Sequence, residues 1–311
     1  MAPRVGKGNR EENRNAAMRP AEPPKYERSG IDPKPAREAI NPLPLRASRE
    51  SPILTRASLR AQDWSRGARL PWPLAFWKPP GPHWCVMNVF VTGGAGYIGS
   101  VCVEELLEAG HTVTVFDNLS EGHRSAVDPR ATFIAGDFSD RTLIDTAIAR
   151  TKPEAVIHFA AHALVGESMT NPSKYFRNNV ASGINLLDAC VAHGVRKFVF
   201  SSTCATYGIP EKMPMDETLP QRPVNPYGES KLMFERILSW YRELHGLEFV
   251  AFRYFNAAGA SARFGEHHRI ETHLIPNILK VALGQKPQVD IYGTDYPTPD
   301  GTCIQIGRAH V

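Results

Sequence analysis

No two of the five cysteines in this 311-residue sequence form a CxxC pair or fall at a His/Cys metal-ligand spacing. Cys85, Cys102, Cys190, Cys204 and Cys303 are an odd, scattered set, which reads as reduced thiols in a cytoplasmic protein with no metal site. No apolar run is long enough to cross a bilayer, and the best candidate, residues 70–77, is short and broken by proline. No secretory leader is visible at the start. A basic stripe is also missing. Residues 1–86 carry 16 Lys and Arg against 8 Asp and Glu, whereas residues 87–311 carry 20 against 24. The net charge of +4 therefore hides a mildly acidic body, unsuited to a phosphate backbone; neither a nucleic-acid nor a membrane partner is expected.

Residues 1–86 hold 14 of the 26 prolines and no helical or alternating apolar pattern. Such a segment cannot bury enough surface to offset its ordering entropy. An organellar targeting peptide is one reading, but Glu11, Glu12, Glu22 and Glu27 are out of place in so acid-poor a class. The other reading is a disordered or non-native extension, with the functional start at Met87.

From Met87 the text changes. Asn88–Thr92 reads as an apolar strand running into glycines, residues 100–109 have helical periodicity, and 112–116 alternate as a second strand. Thr132–Ala135 makes a third strand, and 155–159, 197–201 and 248–253 make three more. Helical stretches over 175–193 and 227–245 lie between the last of them. Strands alternating with helices predict an α/β fold, a Rossmann-type doubly wound parallel sheet over 87–255. Residues 256–304 are expected to be part of a smaller C-terminal substrate domain. One choice of codons for residues 305–311 spells a string similar to a common sequencing adapter. Those seven residues are expected to be a non-native tail on a chain cut short.

Gly93-Gly94-Ala95-Gly96-Tyr97-Ile98-Gly99 follows the first strand and opens the first helix. Gly93 suits a tight turn, Gly96 a close backbone approach to a pyrophosphate, and Gly99 tight packing of helix on strand. Phosphates then meet free N–H groups at the helix N-terminus, with Tyr97 and Ile98 in the first turn. The second strand ends in Asp117-Asn118, where a carboxylate can accept both ribose hydroxyls of NAD and repel the 2′-phosphate of NADP. Asp137 and Phe138, after the third strand, stand where an adenine ring would lie; Asp137 taken alone equally suits an ordinary turn.

Ser201-Ser202-Thr203 ends a buried strand, and Tyr227-Gly228-Glu229-Ser230-Lys231 opens a helix after Pro223 and Pro226. Tyr227 and Lys231, four apart, share a helix face. A free tyrosine has a pKa of about 10, so its use as a base near neutrality needs a shift of roughly three pH units. A lysine ammonium and a positive nicotinamide ring could together supply it, with Thr203 hydrogen-bonding the oxygen that loses its proton.

These stretches, with SSTCATYG (201–208), RYFNAAGA (253–260), FAAHALVGES (159–168) and THLIP (272–276), resemble the extended short-chain dehydrogenase/reductase family. The chain is most similar to the UDP-glucose 4-epimerase branch, over 87–304. The resemblance implies Tyr227 as base, Lys231 as its electrostatic partner, and Thr203 in a place where many members have serine. It implies bound NAD, with Phe159, Ala160, Ala161, Asn178, Ser201 and Tyr254 around its ribose and nicotinamide. It places Asn256, His273, Leu274, Val289 and Tyr292 at a UDP-sugar, and it implies a homodimer built on two helices from each subunit. The implied reaction interconverts UDP-glucose and UDP-galactose by oxidation and re-reduction at sugar C4.

The sequence also departs from that pattern. Gln305 stands where a phosphate-contacting arginine is usual, Ala163 where some members have lysine, and Glu121 where an asparagine is frequent. A dehydratase would place an acid after the Ser/Thr, and here that residue is Cys204. Epimerases of UDP-N-acetylglucosamine or UDP-glucuronate, and an inactive NAD-binding fragment, are the competing readings.

Overall fold

The computed structural model describes residues 85–290, single positions among 293–301, and the backbone of 308–310. Six strands form a parallel sheet in the order β3-β2-β1-β4-β5-β6. They are β1 (Asn88–Thr92), β2 (Thr112–Asp117), β3 (Thr132–Ala135), β4 (Ala155–His158), β5 (Lys197–Thr203) and β6 (Glu248–Tyr254). Strand period explains why both faces are buried. In β1, Phe90 points to one side and Val89 and Val91 to the other, all three at most 3% exposed. Phe90 joins Phe116, Phe198 and Phe200 under helices α2 (Arg141–Thr151), α5 (Gly183–Ala192) and α6 (Pro226–His245). Val89 and Val91 join Val113 and Val115 against Val103 of α1 (Tyr97–Glu108).

The chain steps outward from β1 to β3, then crosses back to lay β4 on the other side of β1. That reversal opens a crevice beyond the carboxyl ends of β1 and β4, where ligands of open α/β sheets bind. Sequence expectation and structure agree on all six strands to within two residues. The helices differ more. Beyond those anticipated, the chain forms α2, α3 (Val165–Thr170) and α7 (Leu274–Ala282). Asp140 starts α2, accepting the Leu143 N–H at 3.0 Å, a cap signal present in the sequence. The stretch read as one helix over 175–193 starts earlier, as α4 (Pro172–Tyr175), and passes through a π-helical segment (Phe176–Ser182) into α5.

α6 begins one residue before the expected start. Asn225 caps it by accepting the Gly228 N–H at 2.8 Å, and Pro226 fills the first turn, where its missing N–H costs nothing. Gly246 ends it in the left-handed region. After β6, β7 (Asn256–Ala258) pairs in parallel with β8 (Arg308–His310), so part of the expected tail is paired. The rest of that tail and residues 1–84 lie outside the described residues, as do Cys303 and Tyr292.

Candidate active site

A cleft of about 940 Å³ opens at the carboxyl ends of β1, β4, β5 and β6. Its floor is the glycine turn. Gly93 has φ +73°, and a Cβ there would sit 2.5 Å from the Ala160 nitrogen. A Cβ on Gly99 would fall 2.2 Å from the Gly93 carbonyl oxygen, so that glycine lets α1 pack onto the turn. Gly96 caps α1 without a side-chain hydrogen bond, and the first turn holds no acid. Tyr97 and Ile98 line the cleft beside Gly96, whose own N–H is donated to the Gly93 carbonyl at 3.1 Å; the cleft therefore receives the remaining N–H donors of the first turn and the positive end of a helix dipole. This floor fits the diphosphate of a dinucleotide.

Asp117, expected to hold a ribose, is buried, and each carboxylate oxygen already accepts a backbone N–H: Ala95 at 3.0 Å and Leu119 at 2.8 Å. It thus fastens the glycine turn to the end of β2. Asp137 accepts from Asn118 Nδ2 at 2.7 Å and from the Ser139 N–H at 2.8 Å. Burial raises its pKa, but hydrogen bonds from Ser139 and Asn118 outweigh this and leave it below the usual range. The Phe138 ring lies in the core, edge-on to His158 at 5.4 Å between centroids. Among the described residues lining the cleft, Asp117, Asn118, Asp137 and Phe138 do not appear, nor do Ala160, Asn178 and Val289.

The cleft does bring together Phe159, Ala161, Ser201, Thr203, Tyr227 and Lys231 on one side. Tyr254, Asn256, His273 and Leu274 face it from the segments after β5. Lys231 is 3% exposed; its ammonium donates to the Ser201 carbonyl at 2.8 Å and lies 4.8 Å from the Phe200 ring centroid. Burial brings its pKa down to about 7, against the opposing pull of Glu235. The Thr203 side chain beside Tyr227 lowers its pKa, but burial dominates and pushes the phenol up to about 12. The expected shift is one that Lys231 and a positive nicotinamide ring supply together, and the protein's own groups do not supply it without the ring. They keep the tyrosine protonated at neutral pH, and a positive charge in the cleft would be needed to lower it.

Sequence reasoning singled out Asn178, but its buried neighbour Asn179 makes the structural bonds. Asn179 accepts the His162 N–H at 2.9 Å and donates to the His162 carbonyl at 3.0 Å and to Ser230 Oγ at 3.1 Å. It fixes the loop after β4 to the Tyr227 helix. Two asparagines inside a helical stretch, where the residue type is poor, were the available signal. Ser202, Glu235 and Arg253 gave no such signal. At the cleft rim, Glu266 Oε1 lies 3.0 Å from His273 Nδ1 and 3.3 Å from His268 Nε2. Glu271 Oε1 lies 2.9 Å from the same His273 nitrogen.

A parallel sheet with a glycine turn at its switch point, and beside it a half-buried tyrosine paired with a buried lysine, defines a dinucleotide-dependent α/β enzyme. Residues 89–303 match the NAD dependent epimerase/dehydratase family, and the chain belongs to it. It is 52% identical over 221 residues to the UDP-glucose 4-epimerase of Lacticaseibacillus casei, covering 70% of this chain and 67% of that one. The crystal structure of UDP-glucose 4-epimerase from Brucella ovis in complex with NAD matches with a TM-score of 0.67 and 48% identity, over 70% of this chain and 67% of that one. The Bifidobacterium longum UDP-glucose 4-epimerase, solved with NAD+ and UDP, matches with a TM-score of 0.68 and 37% identity, over 72% and 70%. The chain thus spans about two thirds of the length of these relatives.

Proposed function

We propose that the chain carries the NAD-binding and catalytic part of a UDP-glucose 4-epimerase, which interconverts UDP-glucose and UDP-galactose. The observation that carries this reading is the convergence of Thr203, Tyr227 and Lys231 on one wall of a cleft whose floor is an uncapped helix N-terminus. NAD, when bound, supplies a hydride acceptor and donor and a positive ring charge. Gly93, Gly96, Tyr97, Ile98 and Gly99 would hold its diphosphate. Phe159, Ala161, Ser201 and Tyr254 would lie along its nicotinamide half, and Lys231 would hold the ribose. Tyr227 takes the proton of the sugar 4-hydroxyl and later returns it, while Thr203 holds the same oxygen in line. Asn256, His273 and Leu274 would bind the UDP-sugar.

The same reading makes the protein a cytoplasmic homodimer. Among the described residues no helix is long and apolar enough to cross a membrane. Supporting the dimer, α6 carries Trp240 and Leu244 on its outward face, 61% and 68% exposed.

Tyr227→Phe tests the reading directly. It removes one hydroxyl and leaves the ring's packing in place. UDP-galactose turnover should fall at least ~100-fold, the scale of a lost general base. Bound NAD should persist, because the glycine turn and Lys231 remain. Epimerisation at the parent rate by this variant would end the assignment.

A further inference from the structure

Behind the Tyr–Lys pair lies a buried polar network with no direct place in the chemistry just described. Glu235 is 7% exposed on α6, four residues after Lys231 and eight after Tyr227. Its Oε1 accepts from Ser202 Oγ at 2.5 Å and from Arg253 Nε at 3.2 Å; its Oε2 accepts from Arg253 Nη2 at 2.8 Å and Gln221 Nε2 at 3.1 Å. Arg253 also donates to the Tyr207 hydroxyl at 2.8 Å.

The pleat of β5 gives this network its reach. Alternation sends Ser202 to the α6 face, beside its register partner Arg253 on β6, while Ser201 and Thr203 turn the other way. The Ser201 carbonyl receives the Lys231 ammonium, and the Thr203 side chain meets Tyr227. One residue thus sits between the two partners of the pair, and it is held by a carboxylate on the same helix as the pair.

We propose that Glu235, through Ser202, is a positioning residue that sets the end of β5 against α6 and so places Lys231 and Tyr227 relative to Ser201 and Thr203. This rests on the reading of Tyr227 as the base. An ordinary core ion pair would stabilise the fold without affecting the tyrosine. The charged and titratable groups around the pair are few. Tyr227 faces Thr203 and Cys204, with the Tyr175 ring edge-on 6.4 Å away. Lys231 faces Glu235 and a buried, neutral His158.

Ser202→Ala separates positioning from charge, since it cuts the clamp and leaves every ionisable group in place. Ionisation of Tyr227 is read by ultraviolet difference absorbance of the NAD-loaded protein against Tyr227→Phe, a measurement that needs no turnover. With Thr203 and Lys231 less well placed, the phenol should ionise at a pH higher by at least ~0.5, and kcat should fall ~5–10-fold with KM within twofold. Tyr241→Phe, which loses a 2.6 Å hydrogen bond to Asp188 at the far end of α6, serves as the stability control and should leave both readouts unchanged. Glu235→Ala should reproduce the kcat loss of Ser202→Ala. Unmoved ionisation and kcat within twofold in Ser202→Ala, even with a lowered melting temperature, would overturn the positioning role. Unimpaired turnover in Tyr227→Phe would instead overturn the reading beneath it, whatever Ser202→Ala does to the tyrosine.

Discussion

At the residue scale, Asp117 has two demands on one carboxylate. Its buried oxygens already hold the Ala95 and Leu119 N–H groups, yet an oxygen has a second lone pair that could meet a ribose hydroxyl. The proposed selection of NAD over NADP needs both tasks. Asp117→Ala should therefore weaken NAD retention and narrow the preference, because it loosens the turn and removes the charge opposed to a 2′-phosphate. Binding assays with the two cofactors check this. Equal retention of NAD and NADP by the parent protein would remove the selecting role and leave only the structural one. The glycines were legible from spacing alone because their need is steric and local. The backbone duty of Asp117 was not, since the bond to Ala95 spans 22 residues.

At the element scale, packing of α6 on the sheet buries the end of β4. His158 is 1% exposed, shares a 2.6 Å hydrogen bond with Thr92 Oγ1, and is surrounded by Phe138, Phe198, Phe200 and Phe234. Burial, and then the Lys231 charge, bring its pKa down from 6.5 to about 3. As pH falls below 6.5 the unfolded chain takes up a proton that the native protein refuses until about pH 3. The neutral histidine thus contributes stability that is full above pH 6.5 and is lost progressively across that window, at up to about 1.4 kcal/mol per pH unit. Urea unfolding at pH 7 and pH 4.5 should show His158→Asn losing about 2 kcal/mol less than the parent between the two. Parallel losses would show that other groups govern the acid limb. The helices themselves were less legible than the strands. α3, only six residues long, and α7 fall outside the strand-helix alternation that revealed the sheet.

At the scale of the whole molecule, the proposed dimer makes a claim on the outward face of α6. Trp240 and Leu244 are four residues apart and more than half exposed. The protein should scatter light as a dimer at micromolar concentration, and Trp240→Glu should shift it to monomer while leaving bound NAD in place. A monomeric parent at that concentration would refute the dimer. Apolar surface also remains open at the β6 edge, where Val250 is 52% and Phe252 48% exposed, on the same sheet face as α1.

The sequence by itself determined the six strands, the glycine turn and the Tyr–Lys spacing. Each rests on a period or contact within a few residues, and the residue types that meet such needs are few. Only the tertiary structure decided how these parts meet. It showed Asp117 fastening the turn, Asn179 joining the β4 loop to α6, and burial driving the Tyr227 and Lys231 pKa values toward their neutral forms. It also set Ser202 and Glu235 behind the pair, 33 residues apart in the chain. Desolvation and long-range hydrogen bonds depend on what the fold brings alongside a group, and no local pattern in the chain encodes that.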